Sequence, residues 1–132
     1  MFENLEVFKM SSAMAIHAGQ SQAVAAENVA NSDTPEYKAR TMTNFSDAYQ
    51  TATSMGDTTT QRATRERHMN GSIAGHLGEA IEDEDAIASP NGNTVSLEGE
   101  MLKSLGAKRQ HDRALAIYKS SLGILRATLS RQ

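Results

Sequence analysis

The chain contains no cysteine and no tryptophan. The first absence excludes disulfides and thiolate chemistry. The second, with aromatics at 5% and hydrophobic residues at 39%, leaves little bulk for a globular core. Proline occurs only at positions 35 and 90, so long stretches can stay helical without a break. No apolar run approaches the roughly 18 residues that a membrane-spanning helix needs, so direct membrane insertion is not expected. Net charge is only −3, which favours neither nucleic acid nor an anionic membrane surface. The start of the chain, Met1-Phe2-Glu3-Asn4-Leu5-Glu6, lacks the basic and apolar regions of a cleaved signal peptide.

What is present divides the 132 residues of a single expected domain into two helical ends and a polar middle: 1–31, 32–95 and 96–132. From Asn4 to Val29 the residues are good helix formers. Steps of three and four link Leu5, Phe8, Ser12, Ala15, Gly19, Ala23, Ala26 and Ala30 in a stripe that is apolar but mostly small. Such a helix is marginal alone and needs a partner. The helix is expected to stop where Asn31 tolerates a left-handed conformation, Asp33 favours a turn and Pro35 removes a donor. An extended segment through Phe45 follows.

The middle is rich in Ser, Thr and Gly from Thr51 to Thr60 and acidic at Glu82-Asp83-Glu84-Asp85. It is expected to form mobile loops with room for a short β-hairpin, because it cannot bury enough surface to offset its ordering entropy. Asn91-Gly92 is a strong turn signal. After it, Ser96 is a good helix N-cap, and Glu98 and Glu100 suit the first turn. Heptad-like steps then join Leu97, Met101, Ser104, Lys108, His111, Leu115, Tyr118, Leu122, Leu125 and Leu129. The expected fold is therefore mainly α, with two long terminal helices pairing as a coiled-coil-like hairpin.

Residues that carry chemistry are sparse. His17, His68, His76 and His111 lack the i, i+4 or cysteine neighbours of a zinc site. The acidic run lacks the alternating oxygen ligands and the glycine of a calcium loop. No phosphate-binding glycine loop or nucleophile elbow occurs. No catalytic, cofactor-binding or metal residue is assigned.

The string Asn28-Val29-Ala30-Asn31-Ser32-Asp33-Thr34-Pro35-Glu36-Tyr37-Lys38-Ala39-Arg40 resembles the N-terminal signature of bacterial flagellar rod and hook proteins. Asn28, Ala30, Asn31, Asp33, Thr34, Pro35, Tyr37, Lys38, Ala39 and Arg40 match it. Asn91 to Met101 resembles the stretch that opens that family's C-terminal helix, and Thr64 to His68 is similar to a weaker internal motif. Both ends together are most similar to the proximal-rod members. The family has Gly where this chain has Glu36, so the local turn either departs from the family's or holds a left-handed residue at about 1 kcal/mol.

The resemblance implies a structural, non-enzymatic subunit of the flagellar basal-body rod, transmitting torque and needed for motility. Its implied partners are copies of itself, other rod proteins, and components of the inner-membrane ring and export apparatus. Its implied place is the periplasmic side of the inner membrane, reached by flagellar export without a cleaved signal. The paired stripes imply assembly through Leu5, Phe8, Ala15, Gly19, Ala23, Ala26, Leu97, Met101, Leu115, Tyr118, Leu122, Leu125 and Leu129. Two other readings compete with this one. A helical adaptor or export-chaperone-like module would be a stable monomer or dimer at low concentration, and a small enzyme would have a concave pocket with perturbed titratable groups.

Overall fold

Helix α1 runs over Phe2–Ala30 and helix α3 over Leu97–Leu129, and their contact is the largest between any two elements. The computed structural model describes residues 2–55 and 77–129, with side chains from 6 to 54 and from 77 to 129. Between the long helices come strand β1 (Arg40–Met42), helix α2 (Phe45–Met55) and strand β2 (Ala80–Glu82). The molecule is mainly helical, as the sequence pattern anticipates. Of the middle expected to be mobile, residues 56–76 lie outside the described residues, as do His68, His76, the 64–68 motif and the side chain of Leu5; the described remainder holds β1, α2, β2 and the turns around them.

The two long helices are antiparallel. Phe8 near the start of α1 meets Tyr118 in the second half of α3, ring centroids 5.1 Å apart and edge to face. At the other end, Ala25 and Val29 share a groove with Glu100 and Met101. One series of buried positions recurs every seventh residue on each helix, Ser11, Ala18 and Ala25 on α1 and Glu100, Ala107 and Ala114 on α3, beside which Ala13, His17 and Asn28 of α1 are also buried. Small side chains at this spacing let two backbones come close, at the cost of little apolar area buried per residue.

The packed faces are rotated from the stripes read in the sequence. Gly19, Ala23 and Ala26 are exposed, and Ala15 is half-buried. On α3, Leu97, Met101, Leu115, Tyr118 and Leu129 are exposed, while Leu122 and Leu125 are half-buried. One residue of helix turns a side chain by about 100°. Much of the stripe with the larger side chains therefore faces outward, apart from the Phe8–Tyr118 contact and the half-buried Leu122 and Leu125, while the alanine seam beside it packs inward. Gly19 and Gly106 make no close approach, since an added Cβ would meet nothing within 4 Å.

In the middle, β1 and β2 pair antiparallel, Arg40 opposite Glu82 and Met42 opposite Ala80. They are not joined by a tight turn, since α2 and 56–76 lie between them. The sequence reading extends the chain through Phe45, but α2 begins at that residue. The signal is visible in retrospect: Phe45, Ala48, Tyr49 and Ala52 lie three, one and three apart, on one helical face. Ala48 is buried and Phe45 stacks on Tyr49 at 5.4 Å. Lys103 then ties the sheet to α3, donating to Asp83 at 2.8 Å and to Glu100 at 2.9 Å. Burial works to lower its pKa, but these two carboxylates together raise it, so the ammonium stays charged.

His17 fastens α1 to the turn between β1 and α2. It is buried, its Nε2–H donates to the Thr43 carbonyl at 2.9 Å, and Phe45 lies edge-on at 5.7 Å. Burial lowers its pKa, and the Thr43 carbonyl offsets this only in part. The folded chain thus favours neutral imidazole, whereas the unfolded chain takes up a proton near pH 6.5. Stability should be full above that value and fall as pH drops below it, until the lower folded pKa is reached. The unfolding free energy from urea titrations should therefore decrease between pH 7.5 and 5.5, by at most about 1.4 kcal/mol, since pH 5.5 lies one unit below the unfolded pKa. A His17→Gln variant should show a smaller decrease over the same range.

Candidate functional site

The two segments that resemble rod-protein signatures fold into one joint. It begins where α1 runs out of partners for its last carbonyls. Asn31 donates from its backbone to the carbonyls of Glu27 and Asn28, and its side chain donates again to Glu27 at 2.9 Å. Asn31 does not take the left-handed conformation considered from sequence. Among the described residues, the non-glycine position with positive φ is Glu36, at 59°. Glu36 therefore holds a left-handed conformation that Gly would adopt without strain, at a cost of about 1 kcal/mol.

The opposing loop closes against that turn. Pro90 and Asn91 form a tight turn in which the Gly92 N–H donates to the Ser89 carbonyl at 2.9 Å. Gly92 has φ of 81°, and a Cβ there would lie 3.3 Å from the Cα of Glu36. The Glu36 N–H donates to the Asn91 carbonyl, and the Thr94 N–H to the Tyr37 carbonyl. Ala39 donates to the Thr94 hydroxyl at 2.8 Å.

Two buried asparagines complete the joint. Asn93 directs its side-chain NH2 at three carbonyls, those of Asn31, Ser32 and Thr34, at 2.9, 2.9 and 2.7 Å. Its Oδ1 accepts from the Val95 N–H at 2.7 Å. Asn28, fully buried, copies a strand edge: its NH2 donates to the Arg40 carbonyl at 2.7 Å and its Oδ1 accepts from the Arg40 N–H at 3.0 Å. The same oxygen accepts from the Tyr37 hydroxyl at 3.3 Å. Burial, then the nearby Glu27 carboxylate, raise the Tyr37 pKa, so the phenol keeps the proton it donates.

The motif residues therefore have unequal parts. Asn28, Asn31 and Tyr37 make the bonds; Thr34 supplies a carbonyl, and its hydroxyl reaches Asn31 Oδ1 at 3.2 Å. Ala39 is buried at the crossing, while Ala30, Asp33, Pro35 and Lys38 are exposed. Arg40 pairs with Glu27 at 3.5 Å and donates to the Ala80 carbonyl at 3.2 Å. Sequence reasoning read the 91–93 stretch as a turn and did not identify Asn93 or Thr94 as joint residues. Ser96 does act as the N-cap of α3, its hydroxyl accepting from the Gly99 N–H at 3.3 Å.

Beside the joint lies a cavity of about 230 Å³ lined by residues that include His17, Arg40, Thr43, Glu100 and Lys103. Among the described residues, no three His, Cys, Asp or Glu side chains converge as a metal site would require, and no helix is long and apolar enough to cross a membrane.

No protein-family model matches the chain. It is 28% identical over 138 aligned residues to the flagellar basal body rod protein FlgB of Agrobacterium fabrum, a match spanning 96% of this chain and 95% of that protein. The match supports a FlgB-like family. It is low in identity but nearly complete in length, so it includes both halves of the joint.

Asn93 is the most exacting element of this site, and its substitutions should rank accordingly. Asn93→Ala removes the donors to three carbonyls and should destabilise the fold by about 2–3 kcal/mol. Asn93→Asp keeps the volume but sets a carboxylate against those carbonyls. At pH 7 it should be less stable than Asn93→Ala in urea titrations, and it should recover part of the loss on acidification, when the group is protonated.

Proposed function

We propose that the chain is a structural, non-enzymatic subunit of the proximal rod of the bacterial flagellar basal body. It polymerises there with its own copies and other rod proteins, next to the inner-membrane ring and export apparatus. It leaves the cytoplasm by flagellar export, and in the rod it transmits torque to support motility. The similarity to a flagellar basal body rod protein supports this reading.

The observation that carries it is the division of labour between helix faces. α1 and α3 pack through alanine, while Val7, Met10, Met101, Leu102, Ile117 and Ile124 remain exposed. A monomer gains nothing from presenting this much apolar surface along two helices, whereas a subunit covered by neighbours buries it on assembly. The seven-residue spacing of Glu100, Ala107 and Ala114 supports coiled-coil packing within the subunit. The joint, in turn, fixes where the chain leaves α1 and enters α3, which suits a part that must carry torsional load.

The test is a charged outer face. Leu102 is 70% exposed and Ile124 56%, so Leu102→Glu/Ile124→Glu should leave the fold intact, with unchanged helicity by circular dichroism. In cells lacking the natural chain, the variant should still be exported but fail to enter purified basal bodies, and the cells should not swim. Normal swimming would remove the outer face from assembly. Retention in the cytoplasm without degradation would assign that face to export instead.

A further inference from the structure

The charge of the chain is segregated along the helical hairpin. Between Gly78 and Leu102 the sequence has seven acidic residues and no basic one; between Lys103 and Leu129 it has six basic residues and one acidic. The antiparallel packing sends these two blocks to opposite regions. Strand β2, the acidic turn after it and the start of α3 lie at the joint, while Arg113, Lys119 and Arg126 line the far half of α3. Glu100 and Arg126 are roughly 39 Å apart along that helix. Those three cations are exposed and have no ion pair among the described residues.

The acidic end also holds a receptor shaped for a cation on an apolar stem. A groove of about 410 Å³ between the end of α1 and the start of α3 is walled by Ala25, Ala26, Val29, Ala30 and Met101. Glu100 lies within it, 2% exposed. Its Oε1 accepts from Lys103, and its Oε2 is buried with no hydrogen-bond partner. A lysine or arginine side chain entering this groove lays its methylenes against the alanines and brings its charge beside the Glu100 carboxylate.

We propose that copies of this chain associate head to tail, a basic side chain from the far half of one copy's α3 entering the groove over Glu100 of the next. The contact uses two different surfaces, so it propagates along an axis, as a rod requires, and does not close into a symmetric pair. The opposite charges of the two ends set the direction of stacking and reject the reversed orientation. This inference rests on the reading of the chain as an assembling subunit.

Reciprocal charge reversal tests it. One variant carries Glu82→Lys, Glu84→Lys and Asp85→Lys; the other carries Arg113→Glu, Lys119→Glu and Arg126→Glu. All six positions are exposed, and circular dichroism confirms that each variant folds. In sedimentation at low salt the natural chain should self-associate, and each variant alone should do so more weakly by at least about tenfold. An equal mixture of the two should regain association, because each interface again joins opposite charges. Raising the salt to about 0.5 M should weaken the natural contact. Ala26→Phe, which fills the groove from an exposed position, should weaken association without loss of helicity. Association of either variant alone at natural strength, no recovery in the mixture, or a natural chain that stays monomeric at low salt would each overturn the proposal. Deleting the chain from its host separates the two levels. If the deleted cells still swim, the reading as a rod subunit fails. If they do not swim but the acidic-end variant restores swimming fully, only the polarity fails.

Discussion

The fold depends on supplying partners to backbone groups at one helix end. The turn just after α1 presents the carbonyls of Asn31, Ser32 and Thr34, in a region where the chain must also reverse and become extended. Asn93, 62 residues away from Asn31, meets them with one side chain. Asn28 meets the backbone of Arg40 on the opposite side of the crossing. Each hydrogen bond contributes about 1 kcal/mol net, but each buried group left unmatched costs more, so the joint is sensitive to the loss of any one member. The left-handed Glu36 persists because the bonds around it fix the turn on both sides.

Everything outside the joint is built sparingly. The seam between α1 and α3 relies on Ser11, Ala18 and Ala25 facing a series that includes Glu100, Ala107 and Ala114, so it brings backbones together without burying much apolar area. The larger side chains lie on the remaining faces. The joint sets the geometry of the hairpin, and neighbouring subunits complete its hydrophobic burial in the proposed rod. The same economy explains the thin hydrophobic composition of a chain that nevertheless forms helices of 29 and 33 residues.

The long helices were legible because helix formers, the Ser96 cap and the Pro35 stop are local signals. Which face packs inward was not legible. A stripe with Leu115 and Leu129 looks like a core, and only the structure shows that the neighbouring alanines occupy it. Hydrophobic periodicity marks a face that avoids water, and in the proposed rod neighbouring subunits would cover it. The motif residues Asn28 and Tyr37 were visible by resemblance, but their bonds were not. Asn93 looked like part of a turn, since a single sequence gives no sign of a side chain bonding the carbonyls of another turn 62 residues upstream. Helix α2 was missed for a different reason: its Thr-rich second half outweighed the apolar spacing of Phe45, Ala48, Tyr49 and Ala52.

The central claim is that the asparagine joint holds the hairpin together. Amide hydrogen exchange under native conditions tests it most directly. The N–H groups of Ala39, Arg40 and Thr94 donate to Thr94 Oγ1, Asn28 Oδ1 and the Tyr37 carbonyl respectively, outside any helix. If the joint organises the fold, these three amides exchange as slowly as those around Ala18 and Ala107 in the helical seam, and all of them open together. Fast exchange at Ala39, Arg40 and Thr94, with the seam still protected, would show that the helices pair without the joint and would contradict the account.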